Sequence, residues 1–344
     1  MFNQLKKIQV AILGSGRMGQ RHAEAYKKIH RHVEIKGFYD IETKQASTLA
    51  SRYHAKIYDT ADSAIEDSEV NAISICTPNA LHFEILKKSI KYQKDVLVEK
   101  PIVTTLEHCR SVMSMMKKSS SKVMVGHTHR FYPCNLALKS VVDSGKIGKP
   151  KIINTFDYIP GKNPGQKMPQ WVRVRKSSGG GVFMTDLIHT VDKISWLMSS
   201  PIEKVFTPMM SDFIAQRGIE DAGIAVIWLK NGSMATCVLG CPSPGAVDMS
   251  IKVIGTKGEA NMEFGENLDV RKNFISSIDF MHKGNLAKHN STAFDAEINE
   301  FVTSILKNRQ PEITHKDGIQ AVNVILALYE SFKTKRRVLI KNIM

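Results

Sequence analysis

Four short stretches of this sequence hold residue types that could do chemistry. The first is Gly14-Ser15-Gly16-Arg17-Met18-Gly19, a G-x-G-x-x-G run that follows an apolar stretch and opens an amphipathic one. In that setting the glycines permit a tight turn and let the backbone approach a pyrophosphate, which sits at the N-terminus of the next helix. A glycine turn with no ligand is the plain alternative. The second is Asp40, 21 residues beyond Gly19, at the end of the next strand-like run. An acid there binds the adenosine ribose hydroxyls and repels a 2′-phosphate, which predicts NAD over NADP. Lys44 softens that preference, and capping the following helix is the other role open to Asp40. The third is Thr77-Pro78-Asn79, with His82 and Glu84 just beyond, and the fourth is Glu99-Lys100-Pro101. Both follow strand patterns, and ligands of a doubly wound sheet bind at the carboxyl ends of its strands. A lysine so placed can be tuned for proton chemistry by a nearby acid or by desolvation, whereas a surface salt bridge is its ordinary use.

The elements that must position these residues are legible from periodicity. Ile8–Leu13 reads as a buried strand, and Val33–Tyr39, Ala72–Cys76, Asp95–Val98 and Val123–Val125 as further strands. Arg17–Lys28, Thr43–Arg52, Ala80–Lys91 and Leu106–Lys118 read as helices between them. That alternation predicts an α/β Rossmann domain, a doubly wound parallel sheet, over residues 1–126. Beyond it, helix Asn135–Ser144 and strand Lys151–Tyr158 lead into a Pro/Gly-rich loop, Ile159–Gly181, and then helix Asp186–Met198. Strands follow at Lys204–Ile214, Ala222–Leu229, Ser233–Leu239 and Met249–Gly255, with the hairpin signal Asn231-Gly232 between two of them. Helices Phe294–Leu306 and Asp317–Lys333 close the chain. Residues 127–344 are therefore expected to form an α+β domain with a mostly antiparallel sheet.

Taken together, the glycine run, Asp40, Thr77-Pro78-Asn79-Ala80-Leu81-His82 and Glu99-Lys100-Pro101 resemble the glucose–fructose oxidoreductase / inositol dehydrogenase / MocA family. The likeness continues through His129-Arg130-Phe131, Gly179-Gly180-Gly181, His189-Thr190-Val191-Asp192 and the closing helices, spanning residues 6 to 340. It implies that Gly14, Gly16, Arg17, Met18, Gly19, Asp40, Thr77, Pro78, Asn79, His82, Glu99 and Lys100 hold NAD, with NADP as the variant. It further implies that Lys100 lines the active site before a cis Pro101, that Arg130 contacts substrate, and that the helix after Gly181 is catalytic. A homodimer or homotetramer joined through the C-terminal sheet is implied as well. By the same resemblance the reaction is reversible oxidation of a secondary hydroxyl of a sugar, inositol or sugar derivative, with hydride passing to nicotinamide C4. His189 would be the general base, Lys100 the oxyanion stabiliser or proton relay, and Asp186 a substrate or His189 ligand. The two domains would then bring Lys100 and His189 into one cleft.

One departure from the family pattern stands out. The family aspartate lies four residues before the histidine, where this chain has Thr185; its acid is Asp186, three before His189. On a regular helix those positions flank the histidine's direction by about 40° and 60° on opposite sides. Read without the family, His189 and Asp192 would pass as structural residues of an amphipathic helix. A sensor that keeps the cofactor but not turnover, and an NAD-dependent glycoside hydrolase, are the alternative functions.

The 160–178 stretch carries Lys162, Lys167, Arg173, Arg175 and Lys176 around Trp171, with no acid. It could form a subsite for phosphate, nucleotide or carboxylate groups, with Trp171 and Arg173 on the substrate, or an arm that packs on a neighbouring subunit. The net charge of +15 is spread along 344 residues, which argues against a nucleic-acid recognition element. No run reaches the ~18 apolar residues of a membrane helix, and the chain is expected in the cytoplasm. The five cysteines, Cys76, Cys109, Cys134, Cys237 and Cys241, show no zinc spacing, so no metal site is expected.

Overall fold

The computed structural model describes residues 7–158, 169–212, 218–240, 248–263, 268–272, 275–279 and 286–343. They divide into two compact units, one of 1–128, 291–319 and 343–344, the other of 129–290 and 320–342. The first boundary thus falls after 128, and the chain returns to the first unit over 291–319.

In the first unit, strands β1 (Ile8–Leu13), β2 (Val33–Tyr39), β3 (Lys56–Ile57), β4 (Ala72–Ile75), β5 (Asp95–Glu99) and β6 (Val123–Gly126) form one sheet in the order β3-β2-β1-β4-β5-β6. Every pairing is parallel. The apolar runs of β1, β4, β5 and β6 are buried almost throughout, as a sheet covered on both faces requires. Helices α1 (Arg17–Lys28), α2 (Thr43–Tyr53), α3 (Ala61–Glu66), α4 (His82–Lys91) and α5 (Leu106–Met116) connect the strands. The strand order reverses between β1 and β4, so the turns after these two strands flank the switch-point crevice. The returning segment adds Ile298, Phe301, Val302 and Ile313 to this core.

The second unit is built on a nine-stranded sheet. Its strands are β7 (Pro150–Tyr158), β8 (Ile202–Ser211), β9 (Ala222–Leu229), β10 (Met234–Gly240), β11 (Asp248–Gly255), β12 (Gly258–Glu263), β13 (Leu268–Lys272), β14 (Ile275–Asp279) and β15 (Val338–Leu339). They run in the order β14-β13-β12-β11-β7-β10-β9-β8-β15, with only β7–β10 parallel. The Asn231-Gly232 turn joins β9 to β10 with Gly232 at φ +79°, as the hairpin signal predicts. Burial alternates along β9 and β10, the signature of a sheet with one covered face. Helices α6 (Pro133–Asp143), α7 (Arg175–Ser178), α8 (Ile188–Leu197) and most of α10 (His315–Thr334) belong to this unit, whereas most of α9 (Leu286–Leu306) lies in the segment that returns to the first. The helix expected over Asp186–Met198 is present without a break, but it begins earlier and opens with a π-helical turn at Phe183–Leu187 that runs straight into α8.

Candidate functional site

In the first unit the glycine run forms the turn from β1 into α1. Gly14 adopts φ +98°, and a Cβ there would lie 2.5 Å from the Cys76 carbonyl, so only glycine lets β1 and β4 end side by side. A Cβ on Gly19 would strike the Gly14 carbonyl oxygen, and its absence lets α1 sit against the turn. Gly16 differs: a Cβ there would meet only Gln45 Oε1, at 3.9 Å, so its surroundings are open. It is the N-cap of α1, yet no side chain caps the helix and no acid occupies its first turn. The first N–H groups of α1 therefore present positive charge with no acid of the helix's own first turn against them. Arg17 is exposed and Met18 half-buried at this end.

Asp40 follows β2 and is half-buried. Its Oδ2 accepts the Ser15 N–H at 2.6 Å and its Oδ1 the Glu42 N–H at 2.9 Å. The carboxylate thus braces the glycine turn and starts the bend into α2, and each oxygen keeps a lone pair for a further donor. A pocket of about 300 Å³ lies close by, lined by Gln20, Glu42, Lys44, Gln45, Thr48 and Leu49.

Across the switch point Thr77 is buried, and its Oγ1 has no hydrogen-bond partner among the described residues. Pro78 begins a single 3₁₀ turn, Asn79–Leu81, with Asn79 buried, which carries the chain into α4. His82, fully buried, reaches the Pro101 carbonyl with Nδ1 at 2.8 Å and the Thr77 carbonyl with Nε2 at 2.9 Å. It clips together the turns that follow β4 and β5. Burial pushes this imidazole below its ordinary value, against the pull of the two carbonyls. Glu99 is buried at the end of β5, Lys100 is half-buried, and the Lys100–Pro101 peptide is cis. The glycine run, Asp40, Thr77, Pro78, Asn79, His82, Glu99 and Lys100 all belong to this unit and lie at the carboxyl ends of its strands.

Sequence reasoning passed over His22, Tyr26, Ser74 and Glu297, which are buried in the same unit. The signal was a polar residue where the pattern calls for an apolar one. Ser74 interrupts the apolar run of β4, and His22 lies on the inward face of α1 with Gly19, Ala23 and Tyr26.

In the second unit His189 is buried near the start of α8, its ring stacked on His129 with centroids 3.9 Å apart and planes 8° from parallel. Asp192, one turn further, takes a bidentate pair of hydrogen bonds from Arg130, at 2.8 and 2.6 Å. Two donors of the Arg130 fork are thereby committed to a buried acid, and a pair of this kind costs about 3–5 kcal/mol to break. Thr190 donates to Asp157 at 2.7 Å and ties α8 to β7.

Asp186 lies in the π-helical turn, half-buried, where its Oδ2 accepts the Thr185 hydroxyl at 2.5 Å. Thr185 Oγ1 is also 3.0 Å from the Gly181 carbonyl. A π turn closes i→i+5 bonds and so shifts the phase of every residue before it. The angles of a regular helix therefore do not apply to the Asp186–His189 spacing. The triple glycine has a packing cause. A Cβ on Gly180 would collide with the Tyr329 hydroxyl, and one on Gly181 with the Glu220 carbonyl. Buried Glu220 accepts the Gly181 N–H at 2.7 Å, the Tyr329 hydroxyl, and Arg175 at 3.1 Å.

Of the basic stretch, Arg175 is thus held by Glu220, Arg173 and Lys176 are exposed, and Trp171 is half-buried. Lys162 and Lys167 lie outside the described residues, as does Cys241. Burial pushes the Cys109 and Cys237 thiols up to about 12. Among the described residues no group of three or more His, Cys, Asp or Glu could hold a metal ion, and no helix is long and apolar enough to cross a membrane.

Comparison with known proteins covers the same two parts of the chain. The family model described as an oxidoreductase family with an NAD-binding Rossmann fold matches residues 8–127. Its companion, the oxidoreductase family C-terminal alpha/beta domain, matches residues 139–340. The uncharacterized oxidoreductase YrbE of Bacillus subtilis (strain 168) is 27% identical over 335 residues, covering 95% of this chain and 94% of the relative. The inositol 2-dehydrogenase/D-chiro-inositol 3-dehydrogenase of Lacticaseibacillus casei is 24% identical over 343 residues, covering 97% and 94%. Among solved structures, a levoglucosan dehydrogenase in complex with NADH superposes with a TM-score of 0.89 at 18% identity, covering 98% of this chain and all of that one, a likeness of fold.

Proposed function

From the premise that this chain belongs to the oxidoreductase family of glucose–fructose oxidoreductase, inositol dehydrogenase and MocA, we propose that it reversibly oxidises a secondary hydroxyl of an inositol or related sugar, with NAD as its preferred cofactor. The observation that carries the reading is the carboxyl edge of the six-stranded sheet. There an uncapped helix, an unpartnered buried hydroxyl and a lysine stand on neighbouring turns of one unit.

These residues fit a dinucleotide. The open surroundings of Gly16 and the free N–H groups of α1 suit a pyrophosphate. Asp40 keeps acceptor capacity for ribose hydroxyls, and Thr77 Oγ1, which finds no hydrogen-bond partner among the described residues, can serve a bound dinucleotide. When bound, the nicotinamide supplies the two-electron acceptor.

The chain's own work is then binding and proton handling. His189 takes the proton of the substrate hydroxyl, and Lys100 offers its ammonium to the oxygen as negative charge develops there. Asp186, already accepting the Thr185 hydroxyl, binds a neighbouring substrate hydroxyl. Arg173 and Lys176 are exposed and suit a carboxylate or phosphate on the substrate, whereas Arg130 and Arg175 hold the fold through Asp192 and Glu220.

The half-exposed face of the second sheet carries Ile152, Phe156, Ile224, Trp228, Met234 and Val238 around the hydrogen-bonded Asn154–Thr236 pair, a mostly apolar area suited to covering by a second copy of the chain. Light scattering on a Phe156→Lys, Met234→Lys variant tests this, a shift to monomer being expected.

The deciding experiment is incubation with NAD and, separately, with inositols, free sugars, sugar phosphates and nucleotide sugars, following absorbance at 340 nm. NADH formation with inositols or sugars supports the reading. Tight NAD binding without turnover on any of them refutes it in favour of a sensor. Sugar release with no net NADH refutes it in favour of a glycoside hydrolase.

A further inference from the structure

A chain of polar side chains runs through the core of the first unit, under the Lys100 turn. His22 and Ser74 are fully buried and Glu99 nearly so. His22 places Nδ1 3.0 Å from Ser74 Oγ and Nε2 3.2 Å from Glu99 Oε1. Tyr26 Oη lies 3.0 Å from the same Ser74 oxygen, and the Lys100 backbone N–H donates to Glu99 Oε2 at 3.2 Å. One arrangement of protons satisfies every member. Tyr26 donates to Ser74, Ser74 to Nδ1, and Nε2–H to the Glu99 carboxylate, which also takes the Lys100 N–H. The order serine, histidine, acid matches that of a hydrolytic triad, but Ser74 has no exposed surface, so no substrate reaches its hydroxyl. The chain instead stitches α1 to the ends of β4 and β5.

The surroundings of Glu99 set its charge. Facing it are His22 from α1, Cys76 after β4, His82 from α4, Lys100, and Glu297 from α9. Burial opposes its ionisation, but the hydrogen bond of His22 and the charge of Lys100 outweigh that and hold Glu99 below its ordinary value. Glu297 goes the other way. Burial and the Glu99 charge push it well above, despite its contacts with the Thr128 hydroxyl. Two neighbouring buried carboxyls thus divide into an ionised one under Lys100 and a protonated one beyond it.

We propose that His22 and Glu99 are positioning residues for Lys100, fixing its backbone and keeping one permanent carboxylate charge near its ammonium. The inference rests on the reading of Lys100 as a catalytic group. It accounts for a fully buried histidine on the very helix whose N-terminus suits the pyrophosphate, because α1 and the Lys100 turn are then held in one register.

The test uses the full-length protein with His22→Leu, His22→Gln and Glu99→Gln. Three readouts are compared: kcat with whichever panel substrate the wild type turns over, the NADH dissociation constant by fluorescence, and the labelling rate of Lys100 by acetic anhydride, read by peptide mass spectrometry. His22→Leu is expected to lower kcat about tenfold or more while NADH affinity stays within about twofold. Glu99→Gln, close in shape, removes the charge and should raise Lys100 labelling at pH 8 roughly three- to tenfold. His22→Gln, which keeps a donor and an acceptor, should recover most of kcat. Unchanged Lys100 labelling in Glu99→Gln overturns the proposal, as does a His22→Leu protein whose kcat is normal or whose NADH affinity falls in step with kcat. If His22→Leu does not fold, Glu99→Gln decides. If the wild type turns over no panel substrate, the dehydrogenase reading fails, while the labelling comparison still decides this one.

Discussion

Replacing Asp40 by asparagine should change both stability and cofactor choice, and the two effects can be estimated separately. The carboxylate accepts Ser15 N–H at 2.6 Å and Glu42 N–H at 2.9 Å, one on each oxygen. Asparagine has a single oxygen, so one of the two backbone donors must face an NH₂ group. The loss is one charge-assisted hydrogen bond, about 1.5–3 kcal/mol when buried, and roughly half that at a half-buried site. For a unit of this size each kcal/mol is worth about 2–4 °C in Tm, so a fall of about 2–6 °C is expected. The cofactor effect is electrostatic. A dianionic 2′-phosphate a few ångströms from the carboxylate meets a repulsion of roughly 2–4 kcal/mol at a partly screened site. Removing the charge should therefore shrink the preference for NADH over NADPH by about 30-fold or more, with 1.4 kcal/mol per factor of ten. Thermal melts give the first quantity and fluorescence titration of NADH and NADPH the second. An unaltered Tm would refute the bracing role, and an unaltered NADH/NADPH ratio would refute the ribose assignment.

Three other outcomes are expected. Lys100→Met and His189→Ala should each lower kcat about 10²-fold with NADH affinity preserved, and the double variant should be little worse than either alone; fully additive losses, read by steady-state kinetics, would mean that the two residues do not serve one step. Neutralising Arg173 and Lys176 together should raise KM for an anionic substrate without changing Tm, whereas Arg175→Ala should lower Tm by loosening Glu220; the opposite pattern in kinetics and melts would reverse these assignments. Glu297 keeps its proton in the folded state while the unfolded chain loses it above about pH 4.3, so the wild type loses stability as pH rises from there towards the raised folded value. Glu297→Gln removes that loss, and its stability advantage over the wild type should grow as pH rises above about 5, by up to about 1.4 kcal/mol per unit, read from the pH dependence of Tm; a constant difference would mean that Glu297 is ionised in the fold.

The sequence by itself determined the parallel sheet of the first unit and the turns that carry its chemistry. Strands β1, β4 and β5 are mostly apolar runs and β2 an alternating one, ended by turns that carry Gly14, Thr77, Lys100 and Asp40, and both run and turn residue are local properties. Strands β1 and β2 and helix α1 have the residue ranges that periodicity predicts. The short edge strands β3 and β15, the β12–β14 meander and the return of 291–319 to the first unit were not legible, because their partners lie far away in sequence. The same holds for side-chain roles. Sequence reading offers Arg130 as a substrate contact by resemblance and Arg175 as part of an anion subsite, and nothing local shows that Asp192 and Glu220, more than 40 residues away, hydrogen-bond with them. The π turn at Phe183–Leu187 re-phases Asp186 in a way that helical periodicity cannot anticipate. His22, Ser74 and Glu99 each look ordinary in their own segment. Only the closing of β4 and β5 over α1 makes one buried chain of them, since a hydrogen bond depends on distances of about 3 Å that no local pattern encodes.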